Sequence, residues 1–413
     1  MATLHPFRAL RPDPADVEEC ACVPYDVVSV AEARALARDK PKSFLHVVRP
    51  EIDLPEGTDE HDHQVYTKGA ENLAALAVSP EFVHEDAPSL YAYRLVMDGK
   101  AQTGVVGCVP VADYDDGRIV RHELTRPDKE DDRTRHLLTQ SAHAEPVMLA
   151  FRDEPAVARI LNETEATEPL YDFVASDGVQ HTIWRLADPA ALVGAFARVE
   201  RLYVADGHHR CKAASRAYHA LAEKGEATPE SEAAFFPAVA FPVSEMRILA
   251  YNRVVKRLPN PGGDAGGNGL GPFLTALAGH FDLREDAPPV PERAGDVSLY
   301  AGGGRWLGLT LPETRGPGAA DRLDVARLGE HVLAPLLGID DPRTDKNLKY
   351  VGGIRGTAEL ERLVDEGDAA LAFSVHPTAV EELLAVSDAG ELMPPKSTWF
   401  EPKLRSGLLV HLF

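Results

Sequence analysis

Cysteine is scarce in this 413-residue chain: Cys20, Cys22, Cys108 and Cys211 are all there are. They supply neither a disulfide framework nor the C-x-x-C pairs of a zinc site, so they read as reduced structural thiols. Long apolar runs are missing too. No stretch of 18 apolar residues occurs, and the opening MATLHPFRAL has no basic segment followed by an apolar core. A membrane span and a secretory leader are therefore unsupported, and the cytoplasm is the expected location. Positive charge is in short supply, with 43 Lys+Arg against 65 Asp+Glu and a net charge of -22. Such a surface repels a phosphate backbone, so nucleic acid is not an expected partner. No Walker A sequence and no kinase glycine loop is present. The run AGGGRWLG falls inside an expected hairpin and makes a poor phosphate cradle.

What is present is ordinary in bulk. Hydrophobic and charged fractions of 44% and 26% are those of a globular protein, and the length suits two domains or one large elaborated one. Short apolar runs alternate with helical patterns, which predicts an α/β or α+β fold. In SVAEARALARDKP, Ser29 stands three residues before Glu32 at capping-box spacing, with Pro41 as a stop. SFLHVV (43–48) reads as a buried strand. SLYAYRLV (89–96) and TGVVGCVPVADY (103–114) read as strands joined at Asp98-Gly99, a hairpin dipeptide. Strand RIVRHE (118–123), a charged helix from about Arg126 and strand PVMLAF (146–151) follow, and FPAVAFPVS (236–244) is strand-like. LPNPGGDAGGNGLGP (258–272) holds too much Gly and Pro for regular structure. It divides an N-terminal α/β domain over 1–257 from a C-terminal α/β region over 273–413. There VSLYAGGGRWLGLTL reads as a hairpin, DVARLGEHVLAPLLG as a helix, AALAFSVHP as a strand, and the tail as a strand that pairs back into a sheet.

The stretch RLYVADGHHRCKAASRAYHALAEKG (201–225) carries the sharpest signal. Cys211, Ala214, Tyr218 and Leu221 share one helical face, and Gly225 follows as a C-cap. Asp206 then reads as the N-cap, with His208, His209 and Arg210 in the first turn. Cations there are unfavourable by roughly 0.3 to 1 kcal/mol each, because unpaired N–H groups and the dipole's positive end already point outward. A strand, the Gly207 turn and a helix start with basic donors make a phosphate or carboxylate site. In the bland alternative Arg210 pairs with a surface acid and the histidines satisfy carbonyls; three such residues then remain at odds with local electrostatics. A metal pair is weaker still. Adjacent helical residues point about 100° apart, whereas two ligands from one helix sit at i, i+4.

In RHELTRPDKEDDRTRH (121–136), His122 and Glu123 end a strand and Thr125 starts a helix, with Asp128 at capping-box distance. Lys129, Asp132, Arg133 and His136 share a polar face, which reads equally well as solvated and ion-paired or as phosphate-neutralising. Glu123 at the strand end lies where α/β sheets place reacting groups. It could be a general base or a magnesium ligand, while Lys129 and Arg133 could neutralise phosphoryl oxygens. In VPYDVVS (23–29), Tyr25 and Asp26 form a tight turn before a capped helix, structural unless the fold brings them to the other stretches.

Together PYDVVS (24–29), RHELTRPDKEDDR (121–133), VADGHHR (204–210) and MPPKSTWFEPKLRSGL (393–408) resemble, in order and across nearly the whole chain, the blocks of the domain-of-unknown-function 1015 family. The DGHHR block also resembles the signature of free-serine kinases in the ParB/sulfiredoxin-like superfamily. The resemblance implies a ParB/sulfiredoxin-like mixed-sheet core in an α/β (α+β) fold. It also implies a loop from Asp206 to Arg210 that holds phosphate, and transfer to a small hydroxyl compound such as L-serine. By motif match Asp206, His208, His209 and Arg210 serve phosphate or metal, around the Gly207 turn. Cys211 stands where an aromatic residue commonly follows the arginine.

The leading expectation is magnesium-assisted phosphoryl transfer from ATP, ADP or another donor to a small alcohol. Glu123, an assignment from this sequence and not from the motif, is the base, with Asp206 and His208 as further catalytic residues. Asp206 and Glu123 are the expected Mg2+ ligands; Thr125, His122, Tyr25, Asp26, Lys129 and Arg133 face phosphate or substrate. The alternative is a non-catalytic, nucleotide-responsive binding protein. A metal-dependent hydrolase built on His122, Glu123, Asp206 and His208 lacks a recognised ligand spacing. A nucleotide and a small-molecule substrate are the expected partners, and the region after 258 reads either as a cover for the site or as a homodimer surface.

Overall fold

The computed structural model describes residues 1–259, 269–314 and 316–413. The chain forms two compact units: one comprises Met1–Arg121, Thr125–Met246 and Pro402–Phe413, the other His122–Leu124 and Arg247–Glu401. Each combines sheets with helices, the α+β arrangement that the alternation of patterns predicts. Among the described residues no helix is long and apolar enough to cross a membrane.

The first unit is built on an eight-stranded mixed sheet. Its centre holds strand β1 (Val147–Phe151), flanked by antiparallel β2 (Leu202–Asp206) and parallel β3 (Phe235–Pro242). All five residues of β1 are buried, as a strand covered on both faces must be. Beyond β3 come Lys100–Pro110 and Tyr91–Met97, paired around Asp98 and Gly99. Both turn residues have positive φ, 54° and 74°, which a type I′ hairpin demands. Helices α1 (Pro127–Gln140) and α2 (His208–Glu223) pack on each other. Cys211 and Ala214 of α2 join Val147, Leu149 and Phe151 in one apolar core.

A second core lies under a four-stranded sheet in which the tail strand Val410–Leu412 pairs between Ala9–Pro12 and Ala142–His143. There SFLHVV departs from its expected strand: Leu45–Val48 is a helical turn. Its apolar run is buried, and burial alone does not separate a strand from a buried helix segment. The strand expected over 118–123 is also shorter, only Ile119–Val120, paired parallel to the start of β2.

The second unit is a six-stranded sheet in the order Arg284–Glu285, Trp306–Thr310, Asp296–Tyr300, Leu371–Val375, Tyr251–Val255, Leu348–Gly352, antiparallel throughout. A two-stranded ribbon joins Arg247–Leu249 to Trp399–Glu401. The helix expected over DVARLGEHVLAPLLG is present without a gap as Asp324–Leu328, one wider π-type turn over Gly329–Leu333, and Ala334–Leu337. Pro335 accounts for the wider turn, since it lacks the N–H that a regular α-helix would use there. Of the Gly/Pro-rich stretch 258–272, residues 260–268 lie outside the described residues. Leu270–Ala278 is a helix, with Pro272 in the first turn where no intrahelical donor is required.

Candidate anion site of the first unit

At the end of β2 the chain turns through Gly207, whose φ of 98° and ψ of 29° are left-handed, and enters α2. Gly207, not Asp206, is the N-cap, and no side chain caps the helix. Asp206 remains the last residue of the strand, where its pairing with β1 shifts register. The glycine is required twice over. A Cβ there would sit 3.1 Å from Arg210 Nε and 3.1 Å from Val147 Cγ1, besides the cost of the left-handed backbone. Arg210 therefore lies flat against the turn that precedes its own helix.

Arg210 Nη1 donates to the carbonyl of Pro146, just before β1. Its Nη2 is 3.7 Å from Asp206 Oδ2, and the same oxygen accepts from Lys403 Nζ at 3.1 Å. Among the described residues, buried Arg210 Nε meets no acceptor. Burial pushes the Arg210 guanidinium down, but Asp206, Asp26 and Glu145 outweigh it and hold it firmly protonated. His209 resolves part of the crowding at this helix end. Its Nε2 accepts from the backbone N–H of Arg126 at 3.1 Å, so in this arrangement the ring is a neutral acceptor. His208 is buried beside the turn.

Helix α1 brings the second guanidinium. Arg133 Nε and Nη2 both donate to Asp132 Oδ2, at 2.8 and 2.6 Å. Asp132 Oδ1 accepts from Tyr66 at 2.9 Å and lies 3.1 Å from His61 Nδ1. The inner part of the polar face of α1 is withdrawn from solvent: Asp132 and His136 are buried and Arg133 is paired with Asp132, while Lys129 at its start stays partly exposed. Burial pushes His136 well down, so it is uncharged at neutral pH. The start of α1 also differs from expectation. Arg126 is the N-cap, Pro127 takes the first helical position, and Thr125 bonds Glu130 instead of forming a capping box with Asp128.

Tyr25 and Asp26 arrive on a short turn, and the fold does bring them to the other stretches. Arg133 stands over the Tyr25 ring, the Tyr25 N–H donates to Glu145 Oε1 at 3.0 Å, and Ser406 Oγ donates to the same oxygen at 2.9 Å. Burial pushes the Glu145 carboxyl up; Arg210 and Arg133 pull against it, while Asp26 adds to the rise. Arg133, Glu145 and Arg210 line one cavity of about 40 Å3, together with His136 and the apolar Leu137 and Val147.

All four sequence blocks therefore contribute to the first unit's cluster: Tyr25 and Asp26, Arg133, Asp206 to Arg210, and Lys403 with Ser406. Glu145, Lys403 and Ser406 were not singled out from the sequence. Lys403 and Ser406 lie inside the quoted tail block, but Glu145 stands alone before a strand and carries no motif. Lys129 turns instead to Glu60, 3.8 Å away. His122 and Glu123 belong to the second unit, where the Glu123 charge reaches Tyr350.

The profile of one family, described as a protein of unknown function (DUF1015), matches residues 4–326. No curated protein matches the chain. Among solved structures, a conserved hypothetical protein from Pyrococcus furiosus is 15% identical, covering 74% of this chain and 95% of its own, with a TM-score of 0.37. A free serine kinase in complex with AMP is 14% identical, covering 73% and 92%, at 0.35. SbnI from Staphylococcus aureus, with a C-terminal truncation, is 14% identical, covering 74% and 87%, at 0.38.

Proposed function

Because this chain belongs to the DUF1015 family, to which no function is attached, we propose its activity from its own residues: binding of a nucleotide's phosphates in the first unit and phosphoryl transfer to a small hydroxyl metabolite. The carrying observation is the pair of buried guanidiniums, Arg133 and Arg210, on two packed helices and lining one cavity. Forked guanidinium donors match phosphate oxygens, and the start of α2 adds the positive end of a helix dipole. The likeness of Asp206-Gly207-His208-His209-Arg210 to the serine-kinase signature supports the same reading.

Within it Arg210 and Arg133 bind and orient phosphate, Gly207 lets Arg210 lie close to the backbone, and Tyr25 and Asp132 hold Arg133 in place. Asp206 suits a cation poorly at Oδ2, because Lys403 and Arg210 already neutralise that oxygen. A magnesium ion brought by the nucleotide would supply charge neutralisation of the phosphates, and Asp206 would not be its main ligand. Glu123 is the proposed general base, and Glu123→Gln tests that role by abolishing turnover while leaving nucleotide affinity nearly intact.

The test of the whole reading crosses serine, homoserine, threonine and inositol with ATP, ADP, pyrophosphate and polyphosphate in the presence of magnesium, with product sought by mass spectrometry. A phosphorylated alcohol supports phosphotransfer. No product with any pair, beside a nucleotide-dependent rise in melting temperature, replaces it with a nucleotide-binding role; ligand at about 100 times its Kd stabilises by roughly 2.7 kcal/mol.

A further inference from the structure

Arg253 lies in the strand Tyr251–Val255 of the second unit and is only 3% exposed. Its Nη1 donates to the Tyr251 carbonyl and its Nη2 to the Pro395 carbonyl at 3.3 Å. These bonds use two of the five N–H donors a guanidinium carries. The group stands over the Tyr350 ring, 5.2 Å from its centre. Among the described residues, the titratable groups that bear on Arg253 are the phenols of Tyr350 and Tyr251, and no carboxylate is among them. Burial lowers its pKa only to about 10, so the cation persists at neutral pH.

A buried cation that meets no carboxylate among the described residues is unusual. Acids outnumber bases 65 to 43 in the chain, so carboxylate partners are plentiful, and a buried charge is costly unless something opposite meets it. A second cation attends the same tyrosines. Lys396, in a left-handed conformation at φ 57°, places Nζ 5.5 Å from the centre of the Tyr251 ring, and its charge acts on Tyr350 together with that of Arg253. Glu123 reaches Tyr350 with the opposite sign but does not bear on Arg253.

We propose that Arg253, with Lys396 at the same pair of tyrosines, forms a small-oxyanion site in the second unit, taking a carboxylate or phosphate group. The guanidinium is planar and forked, so it pairs with either group through parallel bonds, and the tyrosine ring behind it fixes its plane. The proposal does not rest on the phosphate-binding reading of the first unit, which Arg133 and Arg210 carry.

Calorimetric titration of the full chain with inorganic phosphate, and separately with acetate, tests it. The parent takes up one more anion per chain than Arg253→Met, and Arg210→Met leaves that second binding event in place. Loss of the event in Arg253→Met with phosphate alone assigns the site to phosphate; loss with acetate assigns it to carboxylates. Arg253→Lys keeps the charge without the fork and binds at least tenfold more weakly. If Arg253→Met does not fold, this variant decides alone. Unchanged stoichiometry in Arg253→Met, or unchanged affinity in Arg253→Lys, overturns the proposal.

Discussion

Arg133 lies over the aromatic face of Tyr25, its guanidinium carbon 4.0 Å from the ring centre, while the Tyr25 backbone N–H is tied to Glu145. A desolvated contact of this kind is worth about 2 kcal/mol and fixes the guanidinium plane as well as its position. Asp132 holds the other edge of the same group. Arg133 is thus held on two sides, and in the proposed anion site such positioning would lower the entropy lost on binding.

Removing either guanidinium weakens nucleotide binding. A hydrogen bond to a charged group contributes about 1.5 to 3 kcal/mol, so Arg210→Met and Arg133→Lys each lose on the order of tenfold to a hundredfold in affinity for ADP. Arg133→Lys keeps the charge but not the planar fork, so its loss measures geometry. Titration calorimetry reads both. Affinity equal to the parent's in Arg210→Met removes the anion site from consideration.

Gly207→Ala is expected to be costly in two separable ways. A left-handed φ of 98° in a residue with a side chain costs of order 1 to 3 kcal/mol, read as a lower midpoint in urea. The new methyl also presses on Arg210 Nε and Val147, so phosphate affinity falls as well. Gly225→Ala, another left-handed glycine but with open space around it, pays the backbone cost and leaves binding unchanged.

How far the sequence reaches is clear from these residues. The hairpin at Asp98-Gly99, the capping box at Ser29 and Glu32 and the helix after Gly207 follow from local rules, and all three are present. Leu45–Val48 did not follow, because a short run buried on every side has no periodicity to read. At the site, Arg210 and Arg133 were legible as basic residues on helices. What was not legible is tertiary. The acceptor for Arg210 is a carbonyl before β1, and the neighbour of Asp206 is Lys403 from the tail. The puzzle of cations at the start of α2 also has a tertiary answer: His209 accepts a hydrogen bond from Arg126, and carboxylates surround Arg210.

All four cysteines are free and buried. Burial pushes the Cys20 and Cys211 thiols up to about 12, and Cys22 and Cys108 well above their ordinary value. Since the thiolate is the reactive form, none should react with a thiol reagent at pH 8 in the folded protein, and all four should react in denaturant. A rapid native-state reaction of even one thiol contradicts this packing.

Asp132 sets the behaviour in acid. Burial alone would raise its carboxyl, but the Arg133 charge and the bonds from Arg133 and Tyr66 prevail and hold it at about 2, below its ordinary 3.8. A depressed pKa in the folded state means that the unfolded chain binds the proton first. The stabilisation is therefore fully present above about pH 4 and is lost as pH falls toward 2, amounting to about 2 kcal/mol. Asp132→Asn removes the ionisation and leaves Arg133 buried beside a neutral amide, so at pH 6 the variant is less stable by about 3 kcal/mol or more. The distinguishing result is the change with pH. Between pH 5 and pH 2 the gap between parent and Asp132→Asn in urea unfolding should close by about 2 kcal/mol, because the parent loses its charged pair and the variant has none to lose. A gap that stays constant over that range means that Asp132 does not hold Arg133 as an ion pair.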